Sequence, residues 1–138
     1  MIGYSPKFPL QVDDQVGAYA LNTTLRGVVK QNFINLMLTV PGERVMDINF
    51  GVGLRKYLFE QNTPFLTSQI ALDIKQQTEK YLPFISIDFI DFNKSHLLDG
   101  HKDQILEVLI EYSVPSLETT GDIQWAESIS IGTLQESL

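Results

Sequence analysis

The chain has 138 residues, 43% of them hydrophobic and 20% charged, with a mean hydropathy of zero. Those proportions fit one ordinary globular domain and exclude a collagenous, low-complexity or wholly disordered protein. There are no cysteines and two histidines, which excludes disulfides, thiolate metal sites and cysteine nucleophiles and leaves little for an imidazole-rich metal centre.

Ten Lys/Arg against seventeen Asp/Glu give a net charge of -7, so neither nucleic acid nor an anionic membrane is expected as a partner. The charge is uneven. Residues 1–60 carry six basic and five acidic side chains, residues 61–115 four and eight, and residues 116–138 none and four. No apolar run approaches the roughly eighteen residues of a membrane span, and Pro6 and Pro9 interrupt the stretch where a secretory signal would be apolar. A soluble chain without an address is expected.

In chain order, Phe8 to Leu21 mixes Pro9, Asp13, Asp14 and Gly17 with short apolar pieces and reads as an extended arm or a loose strand pair. Asn22, Thr23 or Thr24 then supplies a cap, and Leu25, Val28, Val29, Phe33, Leu36, Met37 and Val40 recur at helical spacing until Pro41 ends the helix. From Pro41 to Glu60, three glycines (Gly42, Gly51, Gly53) alternate with Phe50, Tyr57 and Phe59, which predicts a loop of tight turns pinned by large apolar side chains.

A second helix is predicted from Thr63-Pro64, with Thr63 as the cap and Pro64 in the first position, where its missing N–H costs nothing. Phe65 or Leu66, Ile70, Ile74 and Tyr81 form its apolar stripe, Asp73, Lys75, Gln76, Gln77 and Lys80 are left mostly for solvent, and Pro83 ends it. Two half-buried strands follow. Phe84–Phe92 places Ile85, Ile87 and Phe89 on one face, and Ile105–Val114 does the same for Leu106, Val108, Ile110, Tyr112 and Val114. The polar loop between them makes an antiparallel hairpin the simplest connection. After Pro115 one more alternating set, Ile123, Trp125, Ile129 and Ile131, marks a detachable strand, a partner-binding arm or a partly disordered tail. The expected fold class is α+β, with two amphipathic helices packed on a small antiparallel sheet that contains a β-hairpin. An arm over 1–21, a domain over 22–115 and an acidic tail over 116–138 divide the chain.

Candidate chemistry is thin. Glu43, Asp47 and Glu60 are carboxylates near the glycine-rich loop, and glycoside cleavage needs two acids about 5 to 9 Å apart, but a structural ion pair with Arg44 or bonds to backbone N–H groups explain them better. Gly51-x-Gly53 lacks the third glycine of a dinucleotide fingerprint, that position being Lys56. His96 and His101 flank Asp99-Gly100, which is turn chemistry before it is a metal site. No catalytic, cofactor or metal residue is therefore assigned.

The order helix, PGERVMDINFG, GLRKYLFE, then QNTP opening a second helix that ends near a proline before two strands, resembles the baseplate wedge and sheath-initiator family of contractile phage tails. The related component of type VI secretion baseplates is similar. The resemblance runs from about residue 8 to 115 and rests on Gly42-Glu43-Arg44, Asp47, Phe50-Gly51, Gly53-Leu54 and Leu58-Phe59-Glu60 with Thr63-Pro64. Two positions depart from it. Ile48 follows Asp47 where the family commonly has proline, and Leu82-Pro83-Phe84 stands where it commonly has Glu-Pro-Arg, so only Pro83 is shared.

The resemblance implies a non-enzymatic part of a virion's tail baseplate, assembled in the host cytoplasm and present in several symmetric copies. It also implies as partners the tail sheath protein, other wedge proteins and the tail tube. The loop motif residues Gly42 to Glu60 would dock on wedge neighbours, and the hairpin 84–92 and 104–114, including Val108 and Ile110, would offer its edge to sheath subunits. Family members are often labelled lysozyme-like, and that alternative nominates Glu43 and Glu60 as acid and nucleophile of a peptidoglycan hydrolase.

Overall fold

Local backbone chemistry sets where each helix begins. Of the 138 residues, the computed structural model describes 3–13, 18–60, 63–93, 107–116 and 126–131. Helix α1 spans Leu25–Leu38, and the Thr24 hydroxyl accepts the Gly27 N–H at 3.1 Å. Helix α2 spans Pro64–Tyr81, with Pro64 in the first turn and the Thr63 hydroxyl accepting the Leu66 N–H at 3.3 Å. Each cap satisfies an amide that has no partner inside its helix.

The helices bury their stripes against each other and against a three-stranded antiparallel sheet of β3 (Ser86–Asn93), β4 (Glu107–Ser113) and β5 (Ala126–Ile131), in that order. Phe33, Leu36 and Met37 from α1 meet Leu66, Ile70 and Ile74 from α2, all nearly solvent-free. On α2 the structure chooses Leu66 over Phe65, which stays 78% exposed, and extends the stripe through buried Thr78. The sheet contributes Val108, Ile110, Tyr112 and Val114, and the Phe33 and Tyr112 rings lie 4.8 Å apart. Fully burying each such side chain contributes about 1.5–3 kcal/mol.

Strands β3 (Ser86–Asn93) and β4 (Glu107–Ser113) form the expected hairpin pairing, but one face is read wrongly from alternation alone. The register slips between Ile87 and Phe89, so Asp88 is an extra, bulged residue. Beyond it the sides exchange: Ile90 and Phe92 pack on the core, while Phe89 is 52% exposed opposite Glu111. Strand β5 (Ala126–Ile131) then pairs along the other side of β4, from Ala126 opposite Ser113 to Ile131 opposite Val108. Val108 and Ile110 therefore sit in the central strand and not at an edge. Of the hairpin expected to offer an edge, the β4 side is therefore filled by β5, and among the described residues β3 is its outer strand.

Near the N-terminus, β1 (Ser5–Pro6) and β2 (Leu21–Asn22) make a separate two-stranded antiparallel sheet. The loose strand pair is thus present, though its first strand lies before Phe8. Gln31 of α1 ties it down: its Oε1 accepts from the Phe8 N–H and the Asn22 amide, both at 2.9 Å, and its Nε2 donates to the Pro6 carbonyl at 3.0 Å. The residues His96, Asp99, Gly100, His101 and Trp125 singled out above lie outside the described residues.

Candidate functional site

The loop between the helices is built from consecutive turns. Amides of Glu43, Asp47 and Phe50 donate to the carbonyls of Val40, Arg44 and Asp47, each three residues back. The Val52 N–H then donates to the Leu36 carbonyl at 3.0 Å, clipping the loop back onto the end of α1. After it the chain forms a short 3-10 helix, Leu54–Phe59, which the glycine and aromatic pattern does not foretell.

Two glycines are required by this path. Gly51 has φ of +110°, and a Cβ there would stand 2.0 Å from the Thr39 carbonyl oxygen. Gly53, with φ of +67°, opens the 3-10 helix from the left-handed region and would place a Cβ 3.0 Å from Val40 Cα. Gly42 also has positive φ, but open space surrounds it.

The polar side chains of the loop are engaged with structure. Asp47 accepts from the Asn49 N–H at 3.1 Å through one carboxylate oxygen and from the Tyr81 hydroxyl at 2.7 Å through the other. The Tyr81 hydrogen bond, aided by Asn49, Lys80 and Arg44, holds the Asp47 carboxyl below the usual carboxylate range against a smaller opposing effect of burial. Glu43 accepts the Val40 N–H at 3.0 Å. Arg44 lies 4.5 Å over the Phe50 ring, which meets Tyr81 edge-on at 4.9 Å. Glu60 is exposed at the end of the 3-10 helix, its N–H donating to the Tyr57 carbonyl. Of Phe59 the structure describes the backbone, at the last position of that helix.

From the other side, α2 supplies contacts that the apolar stripe does not announce. Gln77 accepts the Gly51 N–H and donates to the Asn49 carbonyl, both at 3.1 Å, so one amide satisfies a donor and an acceptor of the loop. Asp73 accepts from the Tyr57 hydroxyl and from Gln69. Burial, reinforced by Asp73, pushes the Tyr57 hydroxyl well above its ordinary value. Asp73 and Gln77 are therefore not left for solvent. The sequence does contain a signal for this: Gln69, Asp73, Gln77 and Tyr81 recur every four residues, one line along α2 beside the buried line Leu66, Ile70, Ile74 and Thr78.

The structure thus gathers Glu43, Arg44, Asp47, Phe50 and Gly51 against the C-terminal half of α2. Leu54 is instead buried in the core, Pro83 lies exposed in the turn leading to β3, and Val108 and Ile110 belong to the sheet. Between loop and helices opens a cleft of about 650 Å3, with Leu36, Phe50, Tyr81 and Leu82 among its walls and Glu43 and Arg44 at its polar side. Among the described residues no three His, Asp or Glu side chains cluster to hold a metal ion, and no helix is long and apolar enough to cross a membrane.

A small α+β scaffold whose motif residues brace a loop, with each loop carboxylate but Glu60 accepting a structural hydrogen bond, has the character of an assembly module. The chain belongs to the family described as baseplate wedge protein gp25, whose pattern matches residues 23–118, and is accordingly a tail baseplate component. Its fold is shared by a tail lysozyme, so named, from Geobacter sulfurreducens, with a TM-score of 0.62 and 19% identity, covering 86% of this chain and 99% of that one. A chain of the anti-feeding prophage baseplate gives a TM-score of 0.64 at 20% identity over 84% of this chain and 90% of its own. A chain of the type VI secretion baseplate complex gives 0.52 at 14% identity, over 78% and 93%. At these identities the likeness is one of fold. No curated protein matches the sequence.

Proposed function

We propose that the chain links the baseplate wedge to the tail sheath without acting as an enzyme: its 41–60 loop docks on wedge neighbours, and its sheet offers an edge on which sheath subunits add a strand. The tail tube and the sheath are the other contacts, the molecule is present in several symmetric copies, and the assembled virion baseplate, built in the host cytoplasm, is its place of work. One observation carries this reading. The loop backbone is fixed by turns, by Gln77 and by Tyr81, yet its tip presents Val45 and Met46 at 90% and 92% exposure, with Ile48 beside them. An apolar tip on a rigid backbone is suited to a protein surface, since its ordering cost is met in the free molecule. Where the family commonly carries Glu-Pro-Arg, Leu82-Pro83-Phe84 makes the neighbouring contact apolar as well, with Phe84 partly exposed and Leu82 at the cleft.

The double substitution Val45→Asp with Met46→Asp tests the docking half. Both side chains are exposed, so stability should change by less than about 0.5 kcal/mol per site, while incorporation into baseplates should fail. Normal incorporation of the variant would refute loop docking. For the sheath half, baseplates lacking this chain should nucleate no sheath until the wild-type chain is restored, and unaided nucleation would remove that role. The non-enzymatic part expects the purified chain to clear no cell wall. Clearing that Glu43→Gln or Glu60→Gln abolished would overturn it.

A further inference from the structure

Arg44 has an aromatic partner and no ionic one. Its guanidinium lies 4.5 Å over the Phe50 ring, and among the described residues it makes no hydrogen bond or ion pair. Glu43, its neighbour in the chain, instead accepts the Val40 N–H. An arginine packed on a ring has given up much of its side-chain freedom in the free molecule. It keeps its N–H donors, in a fork that matches a carboxylate.

The cleft beside Arg44 holds two more polar groups that the fold does not use. Asn32 and Asn35 line it from one face of α1, three residues apart, and neither side-chain amide bonds to another described residue. Each offers donors and an acceptor, the counterparts of what an extended peptide backbone presents. Leu36, Phe50 and Leu82 supply an apolar wall, and the volume of about 650 Å3 lies within the range of roughly 300–1,000 Å3 typical of ligand sites. Val45 and Met46 of the exposed loop tip follow Arg44 directly in the chain, so the cleft continues the surface proposed above for docking.

We infer that the cleft seats a segment of a separate protein in which an Asp or Glu stands beside a large apolar residue. The carboxylate pairs with Arg44, the apolar side chain packs on Leu36, Phe50 and Leu82, and Asn32 and Asn35 bond the segment's backbone. This rests on the docking reading above and gives the partner a chemistry. Charge selects a carboxylate over a phosphate. One guanidinium neutralises one charge, and a phosphate would leave its second charge beside Glu43, which also lines the cleft. The acidic group supplies the choice of partner, and the apolar wall supplies most of the affinity.

An NMR titration of the full-length, isotope-labelled chain tests it with capped tetrapeptides: Gly-Asp-Leu-Gly, and the same peptide with Asn for Asp, with Ala for Leu, or with phosphoserine for Asp. Gly-Asp-Leu-Gly should shift the Asn32 and Asn35 side-chain amides with a Kd on the order of 1 mM, the weak end expected of so small a ligand. The Asn and Ala peptides should each bind about tenfold more weakly, and the phosphoserine peptide no more tightly than the Asp peptide. Arg44→Gln, at an exposed position, should keep the fold and bind the Asp and Asn peptides equally. Equal affinity of the wild type for those two, tighter binding of phosphoserine, or no shift in the cleft at about 10 mM peptide would each overturn the assignment. The docking reading is tested separately by incorporation of the Val45→Asp with Met46→Asp variant. Failed incorporation with no peptide bound by the wild type refutes the cleft alone, and a bound peptide with normal incorporation refutes loop docking alone.

Discussion

Two irregular segments of this molecule are each bonded to a helix through a glutamine, and they differ in how the core holds them. Gln31 of α1 pins the N-terminal arm through Phe8, Pro6 and Asn22, and Gln77 of α2 pins the inter-helix loop through Asn49 and Gly51. The loop continues into Val52, Leu54 and Tyr57, all buried, whereas none of residues 3–13 is buried. The same polar staple therefore does two jobs. In the loop it registers a segment that the core already holds, and in the arm it is the main tie of a segment that the core does not include. Polar bonds near solvent are worth about 1 kcal/mol each, while a buried apolar side chain contributes more and couples its segment to global unfolding.

Breaking the loop at its tightest point should have the largest effect. Gly51→Ala forces a Cβ into the Thr39 carbonyl at positive φ and should cost about 3 kcal/mol or more, measured by denaturant unfolding. Gly42→Ala, in open space, should cost only the backbone strain of about 1–2 kcal/mol. Equal costs at the two positions would mean that the loop is not packed as described.

The staples should separate next. Gln77→Ala leaves a partly buried Gly51 N–H without its acceptor and should lower global stability by about 1–3 kcal/mol. Gln31→Ala should hardly move the global transition and should speed amide exchange in the arm. A global loss as large as that of Gln77→Ala would show that the arm is part of the cooperative unit.

The smallest effect concerns pH. Since the Tyr81 hydroxyl lowers the Asp47 pKa in the folded state, its stabilisation is complete above the unfolded value of about 3.9 and is lost as pH falls through the lower, folded value. Asp47→Asn should remove that part of the acid dependence and slightly lower stability at neutral pH, where the wild-type carboxylate contributes in full. An identical acid limb in the variant would exclude Asp47 as its source.

Much of the fold is legible before any coordinates. Thr24 and Thr63-Pro64 announce the helix starts because capping is a matter of three or four neighbouring residues. Alternation announces β3 and β4, and the ordered motifs from Gly42 to Thr63 announce the family. What fails does so for reasons outside the local pattern. Phe89 leaves the predicted face because a bulge at Asp88 shifts the register, and a bulge is fixed by the partner strand. Asp73 and Gln77 read as solvent-facing because their partners lie 16 to 28 residues away in sequence.

By itself the sequence determined the helices, their caps, the tight turns of the glycine-rich loop, and the concentration of negative charge in the later part of the chain. Those depend on short-range sterics, periodicity and composition. Only the tertiary structure decided that β4 is the central strand, that Asp88 bulges out of β3, and that a line of polar residues on α2 braces the loop. Each of those depends on which distant segments come to lie side by side, and backbone pairing and packing are resolved only when the whole core closes.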